Sequence, residues 1–241
     1  MHVKKAGQDK LAVITGGGSG IGLAMARIFA ASGYSVVISG RDAKRLQKAA
    51  ANISADKKKV TGIACDVREP SSVEKLFQEI GKRHSTIDVL INNAGVAHAL
   101  ASADQLPVET WKEVIDTNLT GMFLVTRAAL PLIRPGGTIV NNLSVAALQP
   151  FAGMSAYNAS KFGALGFTHA LREDLRQRGI RVVALLPGAT NTEIWSQFWP
   201  GAPKEKMISA ETVAQAVLHA VSAPANTTIE EIRIGPAAGV L

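Results

Sequence analysis

Cysteine is nearly absent: Cys65 is the only one in 241 residues. A single thiol excludes an intrachain disulfide framework and a cysteine-based metal cluster. Cys65 closes the apolar stretch 60–64, which suits a buried structural thiol better than a nucleophile. Histidine is sparse as well, and His2, His84, His98, His169 and His219 share no metal-ligand spacing. No structural metal or zinc-hydrolase centre is therefore expected. Apolar runs stay short of the ~18 residues that a membrane span needs, and the N-terminal stretch lacks the apolar core of a secretory signal. A cytoplasmic protein that does not enter the membrane is the expectation.

What is present argues for a packed domain. Hydrophobic residues make up 47% and charged residues 19% of the chain, which excludes global disorder. The length fits one α/β domain over 1–241 better than two small ones. Lys and Arg (26) outnumber Asp and Glu (19), giving a formal charge of +7. That balance could favour an anionic ligand or nucleic acid. The basic residues are scattered, however, apart from Lys57, Lys58 and Lys59 and the short tail with Lys4, Lys5 and Lys10. A solvated turn accounts for the triple lysine, and no nucleic-acid partner is expected.

Apolar strand-like runs alternate with longer helical patterns along the whole chain. Strands are predicted at 11–15, 35–39, 59–64, 87–91, 137–142, 180–186 and 229–234. Helices are predicted at 20–32, 42–54, 70–84, 109–133, 157–178 and 209–222. This βαβ rhythm implies a doubly wound, Rossmann-type parallel sheet flanked by helices. Ligands in such sheets collect beyond the carboxyl ends of the strands, where Gly16, Asp66, Asn92, Ser144 and Pro187 fall.

Thr15-Gly16-Gly17-Gly18-Ser19-Gly20-Ile21-Gly22 joins the first strand to the first helix. Free backbone N–H groups and the positive helix end would meet a pyrophosphate there. The Gly16, Gly20, Gly22 spacing departs from Gly-x-Gly-x-x-Gly, and no Gly-Lys-Ser/Thr makes it a Walker A loop. The second strand ends in Ser39-Gly40-Arg41-Asp42. An acid at that end would take the ribose hydroxyls of NAD and repel a 2′-phosphate. Gly40 leaves the space open and Arg41 offers a fork to the phosphate, while Asp42 suits a helix cap. NADP is therefore expected; the alternative is a surface Arg41 paired with an acid. Asp66 could accept from an adenine amino group or cap the approach to helix 70–84. Asn92-Asn93-Ala94-Gly95 offers small residues beside the adenosine ribose.

Tyr157 and Lys161 stand four residues apart and share one helix face. A nearby ammonium would lower the phenol from its ordinary pKa near ~10 toward the range useful for proton exchange. Ser144 follows the strand 137–141 and could orient a substrate oxygen. Asn118 sits inside the predicted helix 109–133, either as a packing amide or holding a water that links Lys161 to solvent.

The ordered set Thr15 to Gly22, Asn92-Asn93-Ala94-Gly95, Asn118, Ser144, Tyr157-x-x-x-Lys161 and Pro187-Gly188-x-x-x-Thr192 resembles the short-chain dehydrogenase/reductase family in its classical form. The resemblance covers residues 10–235. It implies that Tyr157 is the general acid/base, Lys161 its activator and ribose ligand, Ser144 the holder of the reacting oxygen and Asn118 the support of a proton relay. Thr192 would contact the nicotinamide carboxamide, after the Pro187-Gly188 turn. Ser19, Gly20, Ile21 and Gly22 would line the pyrophosphate, and Asp66, Val67, Ala94 and Gly95 the adenosine. Relatives that prefer NADP often carry a basic residue where this chain has Ser19, so the NADP expectation rests on Gly40 and Arg41. Relatives commonly form homodimers or homotetramers through long helices.

The reaction so implied is reduction of a carbonyl to an alcohol, with an apolar ketone or a 3-oxoacyl thioester as substrate. NAD-linked alcohol oxidation and a catalytically silent NADP-binding scaffold are the alternatives. Residues 191–208 are expected to cover the substrate opening and to order on ligand binding. Ile194, Trp195, Phe198 and Trp199 in this segment suit an apolar or aromatic substrate, or else a subunit interface. Leu148, Gln149, Phe151 and Met154 are further candidates for the pocket wall.

Overall fold

Leu11–Thr15 (β1) is apolar at four of its five positions and buried throughout, as expected of a strand covered on both faces. The same character recurs in β2 (Ser35–Gly40), β4 (Ile87–Asn92) and β6 (Arg181–Pro187), with β3 (Val60–Ala64), β5 (Ile133–Asn142) and β7 (Glu231–Ile234) completing the set. In the computed structural model these strands form one seven-stranded sheet, order β3-β2-β1-β4-β5-β6-β7, with every pairing parallel. The structure describes residues 10–54, 56 and 59–239. His2, Lys4, Lys5, Lys57 and Lys58 lie outside them.

Helices α1 (Gly20–Ala31), α2 (Ala43–Ile53), α3 (Pro70–Arg83), α4 (Val108–Ile115), α5 (Gly121–Ala129), α6 (Ser155–Leu175) and α7 (Ala210–Val221) cover the two faces. One face is packed around Phe29, Met25, Ile38, Val213 and Val217 from α1, β2 and α7. The other is packed around Leu76, Ile80, Val125, Leu171 and Leu175 from α3, α5 and α6. Chain direction across the sheet reverses between β1 and β4, so their carboxyl ends diverge and leave a crevice. Residues Thr15 and Asn92 end the two strands at that point.

The predicted helix 109–133 is broken into α4, one π-helical turn (Asp116–Thr120) and α5. Ile133, predicted as its end, belongs instead to β5. A π turn admits one extra residue, which periodicity at 3.6 cannot register, and it re-aims the side chains after it. Cys65 is buried, and burial pushes its thiol pKa up, away from nucleophile chemistry. Among the described residues no helix is long and apolar enough to cross a membrane, and no group of three His, Cys, Asp or Glu could hold a metal ion.

Candidate active site

The turn after β1 is built for close backbone approach. Gly16 adopts φ +64°, and a Cβ there would lie 2.9 Å from Ala94 Cα. A Cβ on Gly22 would stand 2.4 Å from the Gly16 carbonyl oxygen, so only glycine fits. Asn93 staples the turn to the next strand: its Nδ2 donates to the carbonyls of Thr15 (3.0 Å) and Gly16 (3.1 Å). Thr15 Oγ1 accepts from the backbone N–H groups of Asn93 and Ala94, both at 3.0 Å. Ser19 makes no side-chain cap on α1, so no capping group occupies the helix end that faces the crevice. A cradle of this kind fits a dinucleotide pyrophosphate. Gly16, Ser19, Gly20 and Ile21 line the crevice there, whereas Gly22 packs against the Gly16 carbonyl behind the turn.

At the end of the crevice beside β2, Gly40, Arg41, Asp42, Asp66, Val67, Ala94 and Gly95 line one recess. A Cβ on Gly40 would meet only Leu46 Cδ2 at 3.8 Å, so the place of an acidic residue is open. Asp42 turns away and caps α2, its Oδ1 accepting from Arg45 N at 3.0 Å. Arg41 is exposed and reaches Glu113 at 3.7 Å, a loose surface pair that leaves the guanidinium available. Two further arginines, Arg45 and Arg68, line the same recess. Arg68 engages both carboxylate oxygens of Asp66 (2.6–3.2 Å) and, chiefly through these hydrogen bonds, holds that carboxyl below its ordinary range. Asp66 does not cap α3; its Oδ1 instead closes a local turn on Arg68 N.

The expectation for Asn92 is corrected. Its side chain is buried and donates to Thr126 Oγ1 and Asn141 Oδ1, both at 2.8 Å, inside the molecule rather than toward the crevice. Strand alternation sends its neighbour Asn93 to the cleft instead.

At the other end of the crevice, Ser144 follows β5, and its Oγ accepts from Ala146 N at 3.1 Å. Asn158 holds the loop after Ser144 to α6: Nδ2 donates to the carbonyls of Ala146 (3.0 Å) and Gln149 (3.2 Å), and Oδ1 accepts from Phe151 N (3.2 Å). Tyr157 and Lys161 project from α6 beside Ser144, and Lys161 Nζ donates to the Asn142 carbonyl at 3.1 Å. Burial lowers the Lys161 pKa to about 8. A Cβ on Gly95 would lie 3.8 Å from Lys161 Nζ, so glycine keeps the space before the ammonium clear.

One expectation about these side chains fails. The Tyr157 phenol is raised, not lowered: burial dominates, and the hydrogen bond to Ser144 only partly offsets it. Lys161 Nζ sits 5.5 Å from the phenol ring centroid and is held by the Asn142 carbonyl rather than by the phenol. Asn118 is buried and spent on protein partners. Its Oδ1 accepts from Val96 N (2.8 Å), and its Nδ2 donates to Val96 O (2.9 Å) and Ser160 Oγ (3.0 Å). The amide thus ties the loop after β4 to α6.

Tyr157, Lys161 and Ser144 open into a cavity of about 630 Å³. Met154, Phe151, Pro187, Gly188, Thr192, Ile194, Trp195, Phe198 and Trp199 line it. Trp195 stacks on Phe198 with centroids 4.8 Å apart, and its Nε1 donates to Thr190 O at 2.8 Å. Leu148, expected in the wall, is 41% exposed and lies outside the lining, because the Asn158 staple turns that part of the loop outward. Gln149 is likewise outside the lining. Arg45, Arg68 and Asn158 are the site residues that the sequence reading missed; Asn158 was within reach as the neighbour of Tyr157.

A family model described as short chain dehydrogenase matches residues 10–202. The chain belongs to the short-chain dehydrogenase/reductase family of oxidoreductases. It is 34% identical to the serine 3-dehydrogenase of Agrobacterium fabrum over 234 residues, covering 93% of this chain and 92% of that one. Among solved structures, the closed form of a serine dehydrogenase complexed with NADP+ superposes with a TM-score of 0.88 at 30% identity, covering 96% of both chains. An alcohol dehydrogenase from Thermococcus sibiricus complexed with 5-hydroxy-NADP also superposes at 0.88, with 28% identity over 96% of this chain and 98% of that one.

Proposed function

We propose that this chain is an NADP(H)-dependent carbonyl reductase acting on an apolar or aromatic ketone, or on a 3-oxoacyl thioester. The observation that carries the reading is the meeting of Ser144, Tyr157 and Lys161 with an apolar cavity at the far end of a glycine cradle. The open space at Gly40, the exposed Arg41 and the outward turn of Asp42 support NADP over NAD. Both solved structures described above hold NADP or a derivative of it.

Gly16, Gly20 and Gly22 would hold the pyrophosphate, Arg41 the 2′-phosphate, Lys161 the nicotinamide ribose, and Thr192 with Pro187 and Gly188 the carboxamide end. When bound, the nicotinamide supplies the hydride in reduction and accepts it in oxidation. The protein handles the proton. Ser144 orients the substrate oxygen and Tyr157 donates its phenolic proton to that oxygen. A phenol raised by burial is protonated at neutral pH, which suits the donor role and hence the reductive direction. With its pKa about 8, Lys161 is charged near neutrality and favours the phenolate that proton transfer leaves behind. Trp195, Phe198 and Met154 exclude water around the reacting carbon.

Exposed Trp111, Phe123 and Phe162 on α4, α5 and α6 give the chain an apolar helical surface for a homodimer or homotetramer. The test of the catalytic assignment is Tyr157→Phe. NADPH titration should be close to wild type, while carbonyl-dependent NADPH oxidation falls by about two orders of magnitude or more. Wild-type turnover on a validated substrate would reject Tyr157 as the proton donor.

A further inference from the structure

The crevice lies between two rims that are remote in sequence, and residues 191–208 are tied to both. On one rim, Arg45 in the first turn of α2 donates from a terminal guanidinium nitrogen to Glu193 Oε2, and from Nε to the Gly18 carbonyl at 3.2 Å. Glu193 opens the first short helical turn of the cover (Glu193–Gln197), directly after Thr192. On the other rim, Gln197 Oε1 at the end of that turn accepts from Ala97 N at 3.0 Å, on the loop after β4. The ends of the cover are pinned at their base, where Thr190 bridges Ile208 and Asn191 N donates to Ile208 O at 2.9 Å. A segment with fixed ends is thus held over the crevice at two points. One of them is an ion pair joining residues 148 positions apart.

We propose that Arg45 and Glu193 form a clasp that positions the substrate cover across the cofactor crevice, so that the dinucleotide exchanges only while the clasp is open. The assignment rests on the reading of this crevice as the NADP(H) site. Its physical basis is the path that the pair spans. The glycine turn lies beneath Arg45 through Gly18, and the cavity that Glu193 borders also contains Ser144 and Tyr157. The pair thus spans the gap between the glycine turn and that cavity. Arg45 and Glu193 are 46% and 73% exposed, so the pair is weak, reversible and open to screening by salt. A weak clasp suits a cover that must open once per turnover. Neither residue touches the reacting atoms; both act through the placement of Thr192, Trp195 and Phe198.

Release kinetics and hydrogen exchange test the clasp together. Glu193→Gln should speed dissociation of NADH, followed by stopped-flow fluorescence, by roughly fivefold. NADH is the probe of choice because Arg45 also lines the 2′-phosphate recess. The free Glu193→Gln protein should exchange amide hydrogens in the 191–208 peptides faster than wild type. Adding salt to ~0.5 M should speed release from wild type but not from the variant. In an Arg45→Gln background, which already lacks the pair, Glu193→Gln should add no further speeding of NADH release. Additive effects, or unchanged release and exchange in Glu193→Gln, would overturn the clasp. Failure of either dinucleotide to bind wild type would instead reject the cofactor reading, and the exchange of the free protein would still report on the clasp.

Discussion

Replacing Gly40 by aspartate should invert the cofactor preference. The structure sets the terms of the experiment. A Cβ at this position meets only Leu46 Cδ2 at 3.8 Å, and Gly40 is not among the glycines with positive φ, so the substitution costs the fold little. The new carboxylate would face the adenosine ribose. Against a doubly charged 2′-phosphate ~5 Å away, repulsion amounts to about 1–2 kcal/mol even at the dielectric of water. Hydrogen bonds from the free ribose hydroxyls of NADH to the same carboxylate add about 1 kcal/mol in the other direction. Together these shift the ratio of NADPH to NADH dissociation constants by roughly 50- to 100-fold. Arg41→Ala is the companion variant. Its side chain is 57% exposed, so its charge-assisted bond to the phosphate is discounted to about 1 kcal/mol, a fivefold loss confined to NADPH. Fluorescence titration of both reduced cofactors, at one fixed ionic strength, reads each effect. Equal changes for NADPH and NADH in both variants would refute the assignment of this recess to the 2′-phosphate.

Two further outcomes concern the reacting end. Burial lowers the Lys161 pKa from 10.5 to about 8, so below pH about 8 the folded state carries the full cost of a buried ammonium, about 3 kcal/mol. Between pH about 8 and about 10 the unfolded chain retains that proton and the folded one does not, so stability rises with pH. Above about 10 the raised Tyr157 phenol works in the opposite sense, because the unfolded chain loses its phenolic proton first. Lys161→Met should raise Tm at pH 7 and flatten the rise; parallel pH–stability curves for the two proteins would contradict the burial argument. Asn158→Ala removes three hydrogen bonds from the loop after Ser144. It should cost about 2–3 kcal/mol, lower Tm by about 5 °C or more in thermal melts, and reduce kcat while leaving NADPH affinity nearly intact.

The parts of this protein legible in its sequence are those governed by local pattern. Parallel strands buried on both faces must be continuous apolar runs, so Leu11–Thr15, Ile87–Asn92 and Arg181–Pro187 stood out from the helices between them. A turn whose own backbone segments pass this closely must carry glycine, as the 2.4 Å from a Gly22 Cβ to the Gly16 carbonyl oxygen makes plain, and a helix carries Tyr157 and Lys161 on one face by its geometry. Tertiary structure decided where side chains point and what they meet. One extra residue in the turn Asp116–Thr120 spends the Asn118 amide on Val96 and Ser160. The pleat of β4 sends Asn92 inward and Asn93 outward. Burial raises the Tyr157 phenol although an ammonium stands four residues away. Arg45 meets Glu193 only because the segments after β2 and β6 both leave the carboxyl end of the parallel sheet and fold toward each other across it. Periodicity and spacing are one-dimensional, whereas desolvation, hydrogen-bond partners and ion pairs depend on distances that exist only once the chain has folded.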